Sequence, residues 1–183
     1  MIRAKKSLGQ NFLTDKNILK KIVSIIEIKD KSILEIGPGT GNLTSYILKD
    51  CPKKFFVVEK DKKLAIFLKK KFEDKIIIIN DDVLKINEKK LYEDRLVVFG
   101  NLPYNISTEI LAKWILNLDD KNFWFDSLIL MFQKEVANRI ISKFNSPKYG
   151  RLSILANWKL NIYKICDIKP VSYTHLRAHE TYD

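Results

Sequence analysis

Cysteine, histidine and long apolar runs are all scarce in this sequence, and each shortage excludes a class of protein. The two cysteines, Cys51 and Cys166, are too far apart for a metal-binding or redox motif, so we expect reduced thiols in a cytoplasmic protein. No stretch approaches the roughly 18 apolar residues of a membrane span. No apolar run follows the charged residues 1–6, as it would in a signal peptide. We therefore expect a protein that is neither secreted nor inserted in a membrane.

Acidic residues are outnumbered, 22 against 33 basic ones, which leaves a net charge of +11 over 183 residues. This excess favours a polyanionic partner such as nucleic acid, although heavy use of Lys, Ile and Asn can also reflect genome composition. Three basic residues, Arg3, Lys5 and Lys6, stand on an N-terminal arm where we expect contacts to nucleic-acid phosphates. Apolar residues make up 46% of the chain, enough for one domain with a substantial core.

Apolar strands and amphipathic helices alternate along most of the chain. After an amphipathic helix capped by Asp15, the pattern predicts strands at 33–36, 55–59, 76–79, 96–100 and 126–132, and helices at 42–49, 61–72, 107–117 and 133–143. This alternation predicts an α/β fold with a mostly parallel, doubly wound sheet. Because such sheets bind ligands beyond the carboxyl ends of their strands, we expect the site there.

A glycine-rich turn follows the first of these strands. Gly37, Gly39 and Gly41 let the backbone approach a ligand closely, and a helix begins directly after them. A dinucleotide fingerprint would need a third glycine where Asn42 stands, which disfavours a nicotinamide oxidoreductase without removing that alternative. With Glu35 before the turn, the spacing Glu-x-Gly-x-Gly-x-Gly resembles the S-adenosylmethionine site of Rossmann-like class I methyltransferases.

Acidic residues follow the next two strands and suit a nucleoside ligand. Glu59 ends the second strand, where a carboxylate can accept hydrogen bonds from both hydroxyls of a ribose. After the third strand, Asp82 can accept a hydrogen bond from an adenine amino group, and Val83 can flank the ring. Turn-forming acids in a solvated loop would also explain Asp82.

The loop after the fourth strand carries the residues expected to do the chemistry. Asn101 ends that strand, Pro103 stiffens the loop, and Tyr104 offers a flat face for a base. An exocyclic amine is a poor nucleophile because its lone pair is delocalised into the ring. The side-chain oxygen of Asn101 and the backbone carbonyl of Leu102 can accept its two hydrogens and direct the lone pair at a methyl group. Catalysis would then depend on positioning, without a general base.

Longer motifs occur together in order along the chain. They are Lys-Lys-Ser-Leu-Gly-Gln-Asn-Phe-Leu-Thr-Asp at 5–15, Glu-Ile-Gly-Pro-Gly-Thr-Gly at 35–41, Val-Val-Glu-Lys-Asp at 57–61, Asp-Val-Leu at 82–84, Asn-Leu-Pro-Tyr-Asn-Ile-Ser at 101–107, Gln-Lys-Glu-Val-Ala-Asn-Arg at 133–139 and Tyr-Gly-Arg-Leu-Ser at 149–153. With these motifs the chain resembles the small-subunit rRNA adenine dimethyltransferases of the bacterial KsgA type over residues 3–170.

This resemblance implies a reaction and a set of residue roles. Four methyl groups from S-adenosylmethionine would go to the N6 amines of two adjacent adenines near the 3′ end of small-subunit rRNA, on an immature subunit bound by a monomeric enzyme. Asn11 and Leu13 would touch the cofactor from the arm, and Gly37 would line its methionine end. Asn101 would face both ligands, and Tyr104 would stack on the target base.

The resemblance ends near the C-terminus. We expect a catalytic domain at 1–170, including the arm at 1–15, whereas residues 171–183 look like translated adaptor sequence. The family would continue with a further strand and a small helical domain, so we expect a sheet that lacks its last strand and has an unpaired edge. We also expect cofactor binding but poor methylation of ribosomal substrate. His175 and His179 fall in this tail, and we expect no metal there.

Two further alternatives stay open. The sister family that modifies large-subunit rRNA shares many of these motifs, but the Lys-Lys-Ser-Leu-Gly and Gln-Lys-Glu-Val-Ala stretches favour the small-subunit enzymes. A non-catalytic RNA-binding or ribosome-assembly module could use the same fold. The intact run from Asn101 to Tyr104 argues against that reading.

Overall fold

A parallel sheet of five strands forms the centre of the protein, whose computed structural model describes residues 11–118, 123–169 and 172–174. Its strands are β2 (Ser32–Ile36), β3 (Lys54–Val58), β4 (Ile77–Ile79), β5 (Leu96–Asn101) and β6 (Phe125–Met131), in the order β4-β3-β2-β5-β6. Two short strands, β1 (Phe12–Leu13) and β7 (Tyr173–Thr174), pair antiparallel apart from this sheet. The helices are α1 (Lys16–Val23), α2 (Asn42–Ile47), α3 (Lys62–Phe72), α4 (Ser107–Leu116), α5 (Lys134–Ile140) and α6 (Arg151–Lys159).

Both faces of the sheet are buried, which confirms the doubly wound α/β fold. Successive side chains of a strand point to opposite faces, so Ile33 of β2 packs with α1, α2 and α3 on one side. Its neighbour Leu34 packs with α4 on the other side. All five residues of β2 are buried, including the polar Ser32 and Glu35, as expected for a strand covered on both faces.

The register of the three central strands aligns their carboxyl ends. Ile36 at the end of β2 lies opposite both Val58 of β3 and Gly100 of β5. The chain keeps this alignment one residue further, because the Gly37 N–H donates to the Val58 carbonyl at 3.0 Å. The segments that follow β2, β3 and β5 therefore emerge side by side at one edge of the sheet.

The structure also contains elements that the sequence pattern did not predict. No strand was predicted in the arm at 1–15, yet residues 12–13 form β1. Residues 172–174 were left out of the fold, yet Tyr173 and Thr174 pair with β1, and the Thr14 N–H donates to the Ser172 carbonyl at 2.9 Å. Helix α6 was missed as well, and α2 and α5 end earlier than expected. None of the helices in the described ranges combines the length and apolar character needed to cross a bilayer.

Truncating Ile33 should destabilise the fold far more than truncating an isoleucine of equal size on the surface. Ile33 is 0% exposed, whereas Ile66 on α3 is 51% exposed. We expect Ile33→Ala to lower the free energy of unfolding by about 2–5 kcal/mol, and Ile66→Ala to change it by about 0.5 kcal/mol or less. Urea unfolding followed by circular dichroism measures both. Equal effects of the two variants would contradict the assignment of β2 to the core.

Candidate active site

A cleft lies over the carboxyl ends of β2, β3 and β5. It encloses about 840 Å³ of empty space, counting the space at its open mouth. Seven residues that the sequence analysis singled out line it, namely Asn11, Gly37, Gly39, Glu59, Asp82, Val83 and Asn101. The cleft therefore brings together residues that are up to 90 positions apart in the chain.

The glycine turn packs so closely against its neighbours that side chains do not fit. Gly39 has φ +58°, and a Cβ there would lie 2.7 Å from the ring of Phe12 on β1. Gly37 has φ +65°, and its Cβ would lie 3.3 Å from the Asn101 carbonyl oxygen. Glycine is thus required both for the left-handed backbone and for the close approach of three chain segments.

Backbone donors hold the carboxylate of Glu59 in the floor of the cleft. Its Oε1 accepts the Asp61 N–H at 2.8 Å, and its Oε2 accepts the Gly39 N–H at 3.3 Å. Burial raises the pKa of the Glu59 carboxyl, while these two N–H groups oppose the rise. Each oxygen keeps a second lone pair, so the carboxylate can still accept hydrogen bonds from a ligand.

Asp82 also lines the cleft and is held by a lysine. The Lys60 ammonium donates to its Oδ2 at 2.7 Å, and the Leu84 N–H donates to its Oδ1 at 3.0 Å. The hydrogen bond from Lys60 lowers the pKa of Asp82, with burial opposing the shift. The group is therefore an ionised acceptor at neutral pH, beside the buried side chain of Val83.

The amide of Asn101 has a defined orientation. Its Nδ2 donates to the backbone carbonyl of Asn11 at 2.6 Å. Because a carbonyl can only accept, the nitrogen must face Asn11, which leaves the Oδ1 of Asn101 on the other side of the amide. Asn101 itself lines the cleft, and the bond to Asn11 does not use its amide oxygen.

The other two residues of the expected catalytic set are placed differently. The side chain of Leu102 is buried, with one methyl group in the space that a Cβ on Gly100 would need, so only its backbone can serve a ligand. Tyr104 is half-buried in the β5–α4 loop (residues 102–106) and hydrogen-bonds the side chain of Tyr173. Burial raises the pKa of Tyr104. Tyr104 does not line the cleft itself, although Pro103 on its N-terminal side does.

Two other expected cofactor residues lie behind the glycine turn. Leu13 and Glu35 line a smaller hollow that adjoins the cleft at Gly37. Glu35 is 1% exposed, and its Oε2 accepts the Thr44 hydroxyl at 2.6 Å. Burial raises the pKa of Glu35 to about 8, and the charge of Glu59 adds to the rise while the Thr44 hydrogen bond opposes it. Glu35 therefore joins β2 to α2, the two elements that flank the glycine turn.

The expected nucleic-acid contacts Arg3, Lys5 and Lys6 lie outside the described residues, as do His175 and His179. In the part of the chain that the structure does describe, no group of His, Cys, Asp or Glu side chains is arranged to hold a metal ion.

The sequence analysis gave no role in the site to Phe12, Lys60 and Asn42. Phe12 and Lys60 line the cleft, and each is adjacent in sequence to a residue that was recognised. Asn42 was read only as a missing glycine, but its Nδ2 donates to the Leu13 carbonyl at 2.8 Å and so fastens β1 to the start of α2. Only the spatial pairing of β1 with this turn makes that role visible.

Comparison with known sequences identifies the same family over nearly the whole chain. A profile described as ribosomal RNA adenine dimethylase matches residues 1–175. The ribosomal RNA small subunit methyltransferase A of Pelagibacter ubique is 67% identical over 173 residues, 94% of this chain and 66% of that protein. The protein of the same name from Wolbachia pipientis subsp. Culex pipiens is 42% identical over 177 residues, which again cover 94% of this chain and 66% of that protein. The chain thus spans just under two thirds of the length of these relatives.

Solved structures show the same fold. A dimethyladenosine transferase from Plasmodium falciparum is similar with a TM-score of 0.68 and 30% identity, covering 80% of this chain and 52% of that one. The 23S rRNA methyltransferase ErmE is similar with a TM-score of 0.62 and 28% identity, covering 80% and 55%. The fold alone therefore does not separate small-subunit from large-subunit enzymes, whereas the two curated relatives are both named for the small subunit.

Replacing Glu35 by glutamine should change how the free energy of unfolding depends on pH. The pKa of this group is about 8 when folded against an ordinary value of 4.5, so the folded state binds the extra proton. The free energy of unfolding of the unmodified protein should therefore fall relative to that of Glu35→Gln between these two pH values, by up to about 1.4 kcal/mol per pH unit, and then level off.

Urea unfolding at several pH values measures this difference, with the same substitution at exposed Glu27 as the matched control. A constant difference between the protein and Glu35→Gln across pH 5–8 would contradict the burial of a carboxyl beneath the turn.

Proposed function

Because the chain belongs to the ribosomal RNA adenine dimethylase family, we propose that it transfers methyl groups from S-adenosylmethionine to the N6 amines of two adjacent adenines near the 3′ end of small-subunit rRNA. One observation carries the proposal. Asn101 and the glycine turn line the same cleft, and the amide nitrogen of Asn101 is tied to the Asn11 carbonyl at 2.6 Å, which leaves its amide oxygen to accept a hydrogen bond from a ligand. An acceptor for an amine therefore lies beside the place that suits the methyl donor.

The residues present in the cleft fit S-adenosylmethionine. Glu59 would accept hydrogen bonds from the ribose hydroxyls, and Asp82 would accept one from the adenine amino group while Val83 flanks the ring. Gly37 and Gly39, which both line the cleft, would lie along the methionine part. When bound, S-adenosylmethionine supplies an electrophilic methyl group on a positively charged sulfur.

The chain's contribution to the reaction is positional. The Oδ1 of Asn101 and the carbonyl of Leu102 would accept the two hydrogens of the target amine, which favours the pyramidal nitrogen and directs its lone pair into the cleft. The nitrogen becomes acidic only after it is alkylated, so no side chain has to remove a proton beforehand. Asn101 could not act as that base, because an amide does not take up a proton near neutral pH.

Charge and similarity support rRNA as the substrate. The net charge of +11 suits a polyanion, and both curated relatives are named for the small ribosomal subunit. We propose further that Tyr104 stacks on the target base and that Arg3, Lys5 and Lys6 contact phosphates. The physical partner would be the immature small subunit, met in the cytoplasm by a monomeric enzyme whose catalytic domain includes residues 11–169.

Cofactor binding is the first test. We expect calorimetry to detect binding of S-adenosylmethionine and none of NAD. Gly39→Ala should weaken that binding by at least about tenfold, because the new Cβ pushes the Phe12 ring into the cleft and the left-handed backbone is strained. Gly150→Ala is the matched control, since a Cβ there meets nothing within 4 Å. Tight binding of NAD without S-adenosylmethionine would overturn the proposal.

Methyl transfer tests the catalytic role of Asn101. We expect Asn101→Ala to lower the rate of transfer from labelled S-adenosylmethionine to small ribosomal subunits by about 100-fold or more under single-turnover conditions, because one of the two acceptors is lost. Asn101→Asp keeps an acceptor oxygen but loses the donor to Asn11. Its rate should therefore lie between those of the unmodified protein and Asn101→Ala. The exposed Asn117→Ala serves as the control. An unchanged rate in Asn101→Ala would exclude this mechanism.

A further inference from the structure

A partly buried lysine on α4, Lys113, is bonded to the loop that forms one wall of the cleft. The Nζ of Lys113 lies 2.7 Å from the Val83 carbonyl, 2.7 Å from the Ile86 carbonyl and 2.8 Å from Oε1 of Glu88. An ammonium group has three hydrogens, and these three acceptors use all of them. Lys113 therefore holds two backbone carbonyls and one carboxylate of the β4–β5 loop (residues 80–95) at once.

Glu88 completes this arrangement from the loop side. It is 5% exposed, and its Oε1 also accepts the indole N–H of Trp114 at 2.7 Å. The buried Trp114 and the lysine are neighbours on α4, so one helix supplies both donors. Exposed ion pairs such as Lys53–Asp94, whose side chains are 54% and 58% exposed, contribute little to stability. The Lys113–Glu88 pair, at 18% and 5%, is shielded from water and correspondingly hard to break.

The pair joins the loop that carries Asp82 and Val83 to the helix that follows the β5–α4 loop. Val83 stands directly after Asp82, and both residues line the side expected to hold adenine. Helix α4 begins at Ser107, at the end of the β5–α4 loop whose first residue, Leu102, is expected to help hold the target amine. A shift of the β4–β5 loop relative to α4 would thus move the Asp82 carboxylate relative to Asn101.

We propose that Lys113, paired with Glu88, is a positioning residue that holds Asp82 and Val83 at the distance from Asn101 at which the adenine of the cofactor is recognised. This inference rests on the proposed function, because it assigns a ligand to the Asp82 side of the cleft. Lys113 touches neither ligand and acts through the backbone of Val83.

The test compares two ligands that differ only in their base. S-adenosylhomocysteine carries the amino group that Asp82 would accept, whereas S-inosylhomocysteine presents a carbonyl oxygen in its place. We expect the unmodified protein to prefer the adenine form by about 10- to 100-fold in Kd, as measured by calorimetry. In Lys113→Met the preference should fall to about threefold or less, mainly through weaker binding of the adenine form.

A purely structural role of Lys113 predicts a different result. General weakening of the site would lower the affinity for both ligands equally and keep the ratio of the two Kd values.

Two further variants serve as controls. Lys113→Met leaves Glu88 buried without its cation, so the double variant Lys113→Met, Glu88→Gln is measured as well. The amide oxygen that Glu88→Gln introduces would still accept the Trp114 N–H. Lys53→Met, which removes an exposed ion pair, should keep the full preference.

The outcomes separate the inference from the proposed function. If the unmodified protein binds neither ligand, the proposed function fails. If it prefers the adenine form and both Lys113 variants keep that preference, the pair only stabilises the fold and the inference is overturned. Loss of the preference in the folded double variant, with the inosine ligand bound about as well as before, supports the positioning role.

Discussion

The alignment of β2, β3 and β5 is the constraint on which the site depends. Because Ile36 lies opposite both Val58 and Gly100, the residues that follow these strands leave the sheet side by side. The glycine turn, Glu59 and Asn101 become neighbours for that reason alone. A slip of one residue between β2 and either neighbour would reverse the faces of that strand and separate the three groups.

The polar groups of the cleft are held by the chain before any ligand arrives. Glu59 is fixed by two backbone N–H groups, Asp82 by Lys60 and the Leu84 N–H, and Asn101 by the Asn11 carbonyl. Each of these bonds occupies one lone pair or one donor, and each side chain keeps at least one further lone pair that can accept a hydrogen bond from a ligand. Such preorganisation matters for a reaction that depends on orientation, since little remains to be ordered when the ligands bind.

The sequence predicted those features that local patterns encode, and missed those that depend on distant contacts. Alternating apolar runs revealed the five strands, and the glycine spacing with Glu59 revealed the turn. In contrast, β1 and β7 are two residues each and exist only because segments about 158 positions apart meet. The pairing of Glu88 with Lys113 was equally hidden, because a lysine and a glutamate in sequence give no sign that they will be buried together. Asn42 was interpreted only as the absence of a glycine. Its hydrogen bond to the Leu13 carbonyl could not be foreseen from the sequence.

Three acids near the cleft show why residue type alone does not assign a role. Glu35 is enclosed beneath the turn, where burial raises its pKa to about 8 and favours the neutral form. Glu59 is buried as well, but backbone N–H groups compensate its charge, and the neutral form of Glu35 spares it a second negative charge nearby. Asp82 is partly exposed and paired with Lys60, which keeps it ionised. The surroundings of each acid thus give Glu35 a supporting role and leave Glu59 and Asp82 as hydrogen-bond acceptors. In the sequence, all three appear only as carboxylates near the ends of strands.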